Sequence, residues 1–118
     1  MRTICIIQAR VNSTRLPNKV FLALAGKSML QNVIERVKRA KLIDGIIVAT
    51  PRDDCWYLIH QEVMSEPTNV IVMAPDRPEE DLIGRYLFVA QAAKADFIIR
   101  VCADNPCVEP GAIDYLIS

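Results

Sequence analysis

The chain contains a single histidine, His60. None of its four cysteines (Cys5, Cys55, Cys102, Cys107) forms a C-x-x-C pair or neighbours that histidine. Zinc-type ligand spacing is therefore absent. Cys5 and Cys102 sit in or beside apolar runs and read most simply as small core residues. Glycine is also scarce. The four glycines are Gly26, Gly45, Gly84 and Gly111, so no G-x-G-x-x-G exists and a dinucleotide-binding fingerprint is disfavoured. Gly26-Lys27-Ser28 resembles the end of a P-loop, but the required glycine five residues earlier is Phe21. A turn before a Ser28 helix cap is the simpler role. No apolar run approaches membrane-span length, and the first residues lack the apolar stretch and cleavage site of a signal peptide. The expectation is a reduced, cytoplasmic protein. Fourteen cations balance fourteen acids, which removes any global case for binding nucleic acid or a membrane.

What remains is a chain of 118 residues, 52% apolar, enough for one domain with a real core. Four short runs rich in Ile and Val read as strands: Thr3 to Ile7, Gly45 to Ala49, Asn69 to Met73 and Phe97 to Val101. Several are apolar without alternation, as buried parallel strands are. Ser28 and Gln31 have capping-box spacing, and Leu30, Val33, Ile34 and Val37 recur on one helical face. Asp53 or Asp54 is placed to cap a second helix through Trp56, Ile59 and Val63, where His60 is expected to be partly buried and structural. Asp76, Pro78 and Glu79 open a third, with Leu82, Ile83, Tyr86, Val89, Ala90 and Ala93 as its expected inner stripe. Pro110 opens a fourth. The order βαβαβαβα predicts an α/β fold, three layers deep, with a mostly parallel sheet between helices. There is neither polar tail nor closing strand at Ile117-Ser118. The expectation is the first part of a longer protein.

Charge is unevenly spread. Residues 1 to 41 carry nine Lys/Arg against Glu35 alone. Arg36, Lys38, Arg39 and Lys41 suit a helix C-terminus. Arg10, Arg15 and Lys19 do not. They share one loop, Gln8 to Lys19, which leaves the first strand with Ser13, Thr14 and no carboxylate. A polyanion, most simply phosphate, explains that gathering; a solvated basic loop is the other reading. The second informative place is Arg100-Val101-Cys102-Ala103-Asp104-Asn105-Pro106. Ligands of open α/β sheets bind beyond the carboxyl ends of the strands, so Asp104 should face the same crevice as the cationic loop. A carboxylate opposite bound phosphates makes sense with magnesium between them. The alternative is plain turn chemistry.

Taken in order, I-Q-A-R-x-x-S-T-R-L-P-x-K, L-A-G-K-x-M-L-x-x-V-I-E-R, I-I-V-A-T, E-D-L-I-G-R-Y and R-V-x-A-D-N-P-x-V-x-P resemble the cytidylyltransferase family. The resemblance is to the branch called spore coat polysaccharide biosynthesis protein F, related to acylneuraminate and ketodeoxyoctonate cytidylyltransferases. It covers nearly the whole chain. It implies a nucleotide-diphospho-sugar transferase-like fold, of which residues 1–118 would be the N-terminal, nucleotide-binding part of a single domain truncated at its C-terminus. It also implies transfer of CMP from CTP to a sugar or sugar acid, with release of pyrophosphate, for polysaccharide or cell-surface glycan synthesis.

Residue by residue, Arg10, Arg15 and Lys19 would hold the triphosphate. Ala9, Asn12 and Ser13 would lie along the nucleotide, and Asp104 would bind magnesium. Arg10, Lys19 and Asp104 would be the catalytic set. The family usually has glycine before that aspartate, where this chain has Ala103. Family members are longer, and their acceptor pocket, a second metal-binding acid and homodimer contacts come largely from the additional part. Two other readings stay open: a glycosyltransferase of the same broad fold, and a nucleotide-binding module without activity.

Overall fold

The computed structural model describes residues 2–9, 21, 23–24, 26–52, 56–66, 69–75, 82–103 and 110–117. Its main sheet has four strands: β1 (Thr3–Gln8), β4 (Gly45–Ala49), β5 (Ile71–Met73) and β6 (Phe97–Cys102). β2 (Ala23–Leu24) and β3 (Lys27–Ser28) form a small antiparallel pair. Four helices complete the described elements: α1 (Met29–Lys38), α2 (Trp56–Met64), α3 (Leu82–Ala93) and α4 (Pro110–Ile117). All ladders of the main sheet are parallel, in the order β5-β4-β1-β6.

That order explains which helix lies where. From β1 the chain steps to β4 and then β5, always in one direction, so right-handed crossovers put α1 and α2 on one face. It then reverses across β1 to reach β6, and the same handedness puts α3 on the opposite face. The two cores confirm this. Cys5, Ile7, Val48, Ile99 and Val101 pack with Leu30, Val33, Ile34 and Val37 of α1, Ile59 and Val63 of α2, and Ile113 of α4. Ile4, Ile6, Ile47 and Ala49 pack with Val89, Tyr86 and Ala93 of α3. The three-layer α/β/α expectation holds.

Local chemistry fixes the ends. The Ser28 hydroxyl caps α1 by accepting from the Gln31 N–H at 3.1 Å. Only half of the expected capping box forms. The buried Gln31 amide donates instead to the Glu62 carbonyl of α2 at 2.5 Å, tying the two helices together. Gly26 turns the β2–β3 pair with φ of 84°, a conformation that suits glycine. Lys27 pairs with Glu35 at 3.1 Å on the surface. Gly26-Lys27-Ser28 is thus turn, surface pair and cap, as the failed P-loop spacing suggests. At the other end of the chain, the Asp114 carboxylate on α4 accepts from the N–H groups of Lys41 (2.9 Å) and Leu42 (2.8 Å), holding the α1–β4 connection.

Three expectations change. Ile83 does not join the inner stripe of α3: it is 75% exposed, while Arg85 is 1% exposed. The inner face runs through positions 85, 86, 89 and 93, and Ile83 falls off it. Cys102 is exposed rather than a core residue, because it follows the alternation of β6 onto the thinly covered face. His60 is exposed and meets the Trp56 ring edge-on, 6.4 Å between centres. Cys5 is buried as expected, and burial pushes its thiol up to about 12. The capping residues expected for α2 and α3, together with Cys55 and Cys107, lie outside the described residues.

Candidate functional site

The reversal of strand order falls between β1 and β6. Ligands of open α/β sheets sit beyond the carboxyl ends of the strands at such a switch point. Here those ends are held in register past the last strand residues. The Ala9 N–H donates to the Ala49 carbonyl at 3.0 Å, and the Thr50 N–H to the Met73 carbonyl at 3.0 Å. Across the switch point the Ala103 N–H donates to the Gln8 carbonyl at 2.9 Å. Ala9 and Ala103 are both 2% exposed, small residues packed under the sheet end. The segments that begin at residues 10 and 104 therefore start from adjoining strands at one edge. Of the expected site residues, Ala9 is described: its N–H is engaged by Ala49 and its side chain lies in the core. Arg10, Asn12, Ser13, Arg15, Lys19 and Asp104 lie outside the described residues. Among the described residues no three His, Cys, Asp or Glu side chains gather as a metal site.

Sequence reasoning missed a polar cluster at the same edge, on the α3 face. Ile4 and Ile6 face α3, so alternation turns Gln8 the same way. The register pairs Ile6 with Arg100 and Gln8 with Cys102, which brings Arg100 and Cys102 onto that face too. Tyr86 of α3 reaches down to it. Its hydroxyl donates to Gln8 Oε1 at 2.5 Å. The Arg100 guanidinium lies 5.6 Å from the centre of the Tyr86 ring, a cation–π distance. Burial pushes the Tyr86 phenol above its ordinary value; Arg100, which also hydrogen-bonds it, and Arg85 work against that. The available signal was a glutamine closing an apolar alternation and an arginine inside an apolar strand. By contrast, a groove of about 680 Å³ opens at the opposite, amino-terminal edge. Two of its polar lining residues hold structure: Arg2 Nε donates to the Ala93 carbonyl, and Asp44 accepts from the Thr3 N–H.

Residues 4–118 match the cytidylyltransferase family model. The chain belongs to the cytidylyltransferase family. Two curated relatives show its range. The chain is 37% identical over 118 residues to a 3-deoxy-manno-octulosonate cytidylyltransferase of Geobacter sulfurreducens, covering all of this chain and 45% of that protein. It is 31% identical over 116 residues to the spore coat polysaccharide biosynthesis protein SpsF of Bacillus subtilis, covering 95% of this chain and 47% of that one. Among solved structures, CMP:2-keto-3-deoxy-manno-octonic acid synthetase complexed with CTP superposes with a TM-score of 0.83 at 29% identity. That match covers 99% of this chain and 46% of the other chain. This cytidylyltransferase chain thus spans about half the length of the relatives it matches. The fold is the nucleotide-diphospho-sugar transferase-like one that the motifs imply. No described helix is long and apolar enough to cross a membrane.

Proposed function

We propose that residues 1–118 form the nucleotide-binding part of a single cytidylyltransferase domain, whose whole protein transfers CMP from CTP to a sugar or sugar acid for glycan synthesis. The observation that carries this reading is the Ala103–Gln8 hydrogen bond at 2.9 Å. It joins the strand ends from which Arg10 and Asp104 follow in the sequence, which supports the reading that both serve one crevice. Family membership supplies the nucleotide, and the related synthetase was solved with CTP.

The chemistry asks little covalent work of the protein. A sugar hydroxyl attacks the α-phosphorus in line and pyrophosphate leaves, so positioning and charge neutralisation dominate. Arg10, Arg15 and Lys19 hold the triphosphate and stabilise the leaving pyrophosphate. Asn12 and Ser13 lie along the nucleotide, with the Ala9 carbonyl beside them. Asp104 supplies a hard oxygen ligand, the donor that magnesium prefers. When bound, that ion neutralises charge at the α-phosphate. A lone carboxylate binds it weakly, which leaves the ion to arrive with the nucleotide.

Calorimetric titration of Arg15→Ala with CTP and CMP tests the reading. The lost charge-assisted contact, worth roughly 1.5–3 kcal/mol, should weaken CTP about 10- to 100-fold and CMP far less. Equal weakening of both nucleotides would sink this placement of the loop. The length of the relatives keeps a second reading in view, a binding module without turnover. Magnesium-dependent release of pyrophosphate from CTP with a sugar acid separates the two: nucleotide binding without release favours the module.

A further inference from the structure

We infer that the groove at the amino-terminal edge of the sheet binds an anionic amphiphile, an alkyl chain with an anionic head. The groove lies at the far end of β1 and β4 from the candidate catalytic crevice, and the inference does not depend on the cytidylyl-transfer reading.

Four observations carry it. First, the floor is apolar and hollow. Ile4 of β1 and Gly45 of β4 are register partners, and Ile47 of β4 pairs in turn with Ile71 of β5. A Cβ on Gly45 would stand 3.1 Å from Ile4 Cδ1, so the glycine keeps that part of the floor open. Second, the floor is uncovered at its outer end, where Ile71 is 54% exposed. An alkyl chain laid there removes that surface from water. Third, the rim is cationic. Arg2, Lys38 and Lys94 line the groove against one acid, Asp44, whose Oδ2 already accepts from the Thr3 N–H. Among the described residues neither the Lys38 nor the Lys94 ammonium has an acceptor. Fourth, Lys94 is held at φ of 54°, a left-handed backbone that glycine adopts more readily. Strain retained at a rim residue points to a use for its charge. The lining also excludes other ligands. It holds no aromatic side chain, so a base or a sugar ring has no face to stack on. A small hydrophilic anion would leave the isoleucine floor wet, and a neutral alkyl chain would leave the cations unmatched. A volume of about 680 Å³ is that of a small-molecule site.

The test is an isothermal titration of the 118-residue chain with decanoate below its micellar concentration, with decanol and acetate as controls. Decanoate should bind one per chain. Decanol should bind at least tenfold more weakly, and acetate should not compete. Lys94→Gly removes the charge and relieves the backbone together. It should weaken decanoate at least fivefold at an equal or higher melting temperature. Lys38→Gln should weaken it three- to fivefold. Ile71→Thr, which keeps the β-branched shape of an exposed strand residue, should weaken it at least threefold. Saturating CTP should change decanoate affinity less than twofold. The inference is overturned if decanoate does not bind, if decanol binds as well, or if Lys94→Gly and Lys38→Gln bind decanoate normally. Displacement of decanoate by CTP would overturn it by placing the ligand in the catalytic crevice. One decanoate per two chains would overturn it by assigning the groove to a second copy. Failure of the chain to bind CTP, with decanoate still bound, would defeat the cytidylyl-transfer reading and leave this site standing.

Discussion

The two faces of the sheet are built differently. One carries α1, α2 and α4 over Cys5, Ile7, Val48, Ile99 and Val101. The other carries α3 over Ile4, Ile6, Ile47 and Ala49. The first face is closed by polar ties as well as apolar packing: Gln31 to Glu62, and Asp114 to the α1–β4 connection. On the second, Ile71 of β5 is 54% exposed, and Ile83 and Leu87 on the outer side of α3 are more than half exposed. The polar cluster of Gln8, Tyr86 and Arg100 belongs to this thinner face. Three helices cover one face and one helix covers the other.

The sharpest way to break this comparison uses two neighbouring isoleucines. Ile6 and Ile7 adjoin in β1 and both are fully buried, but they face opposite cores. Ile7→Ala should cost about 4–5 kcal/mol in urea unfolding and Ile6→Ala about 2–3 kcal/mol, since a thinly covered site relaxes more easily around a cavity. Equal costs would show that the two faces are equivalent in energy despite their unequal cover.

A pH series sharpens it next. The Cys5 thiol is held up to about 12 by burial under the three helices, against an ordinary 9.0. A raised acid favours the folded state fully below the unfolded value and loses that advantage as pH rises, because the unfolded chain sheds the proton first. Stability should therefore fall between pH 9 and about 12, by about 1.4 kcal/mol per pH unit for this one proton. Chemical unfolding of Cys5→Ala across that range should show a flatter decline; an unchanged slope would reject burial of Cys5 as the cause. The Tyr86 phenol, raised chiefly by burial on the other face, adds a decline of the same sign.

The smallest effect concerns the end of α3. Lys94 sits at φ of 54°, with its N–H donating to Gln91 and that of Ala95 to Ala90, a helix stop that favours glycine. Lys94→Gly should stabilise the chain by about 0.5–1 kcal/mol, the relief of left-handed strain less the added freedom of the unfolded chain. A lower melting temperature would mean that the lysine stem contributes more to the thin face than its backbone costs.

How far the sequence could be read differs between the same two regions. α1 was legible because its apolar positions are single-sided: Leu30, Val33, Ile34 and Val37 are all buried, while Glu35 and Lys38 are exposed. α3 was not, because Ile83, Leu87 and Phe88 make its outer side apolar too. Periodicity cannot choose an inner face when both faces look alike, and so the burial of Arg85 went unseen. The loop and the strand-end motif were legible in the sequence, and the Ala103–Gln8 bond joins the described strand ends from which they follow. The roles of Arg10, Arg15, Lys19 and Asp104 stay with the proposal.

The sequence by itself determined the four strands, α1 with its Ser28 cap, the α/β class and the family, because runs, caps and motifs are encoded within a dozen neighbouring residues. Only the tertiary structure decided the strand order, the three-to-one division of helices and the meeting of Gln8 with Tyr86, 78 residues apart. Such contacts depend on where a right-handed crossover reverses, and no local pattern in the chain records that turn.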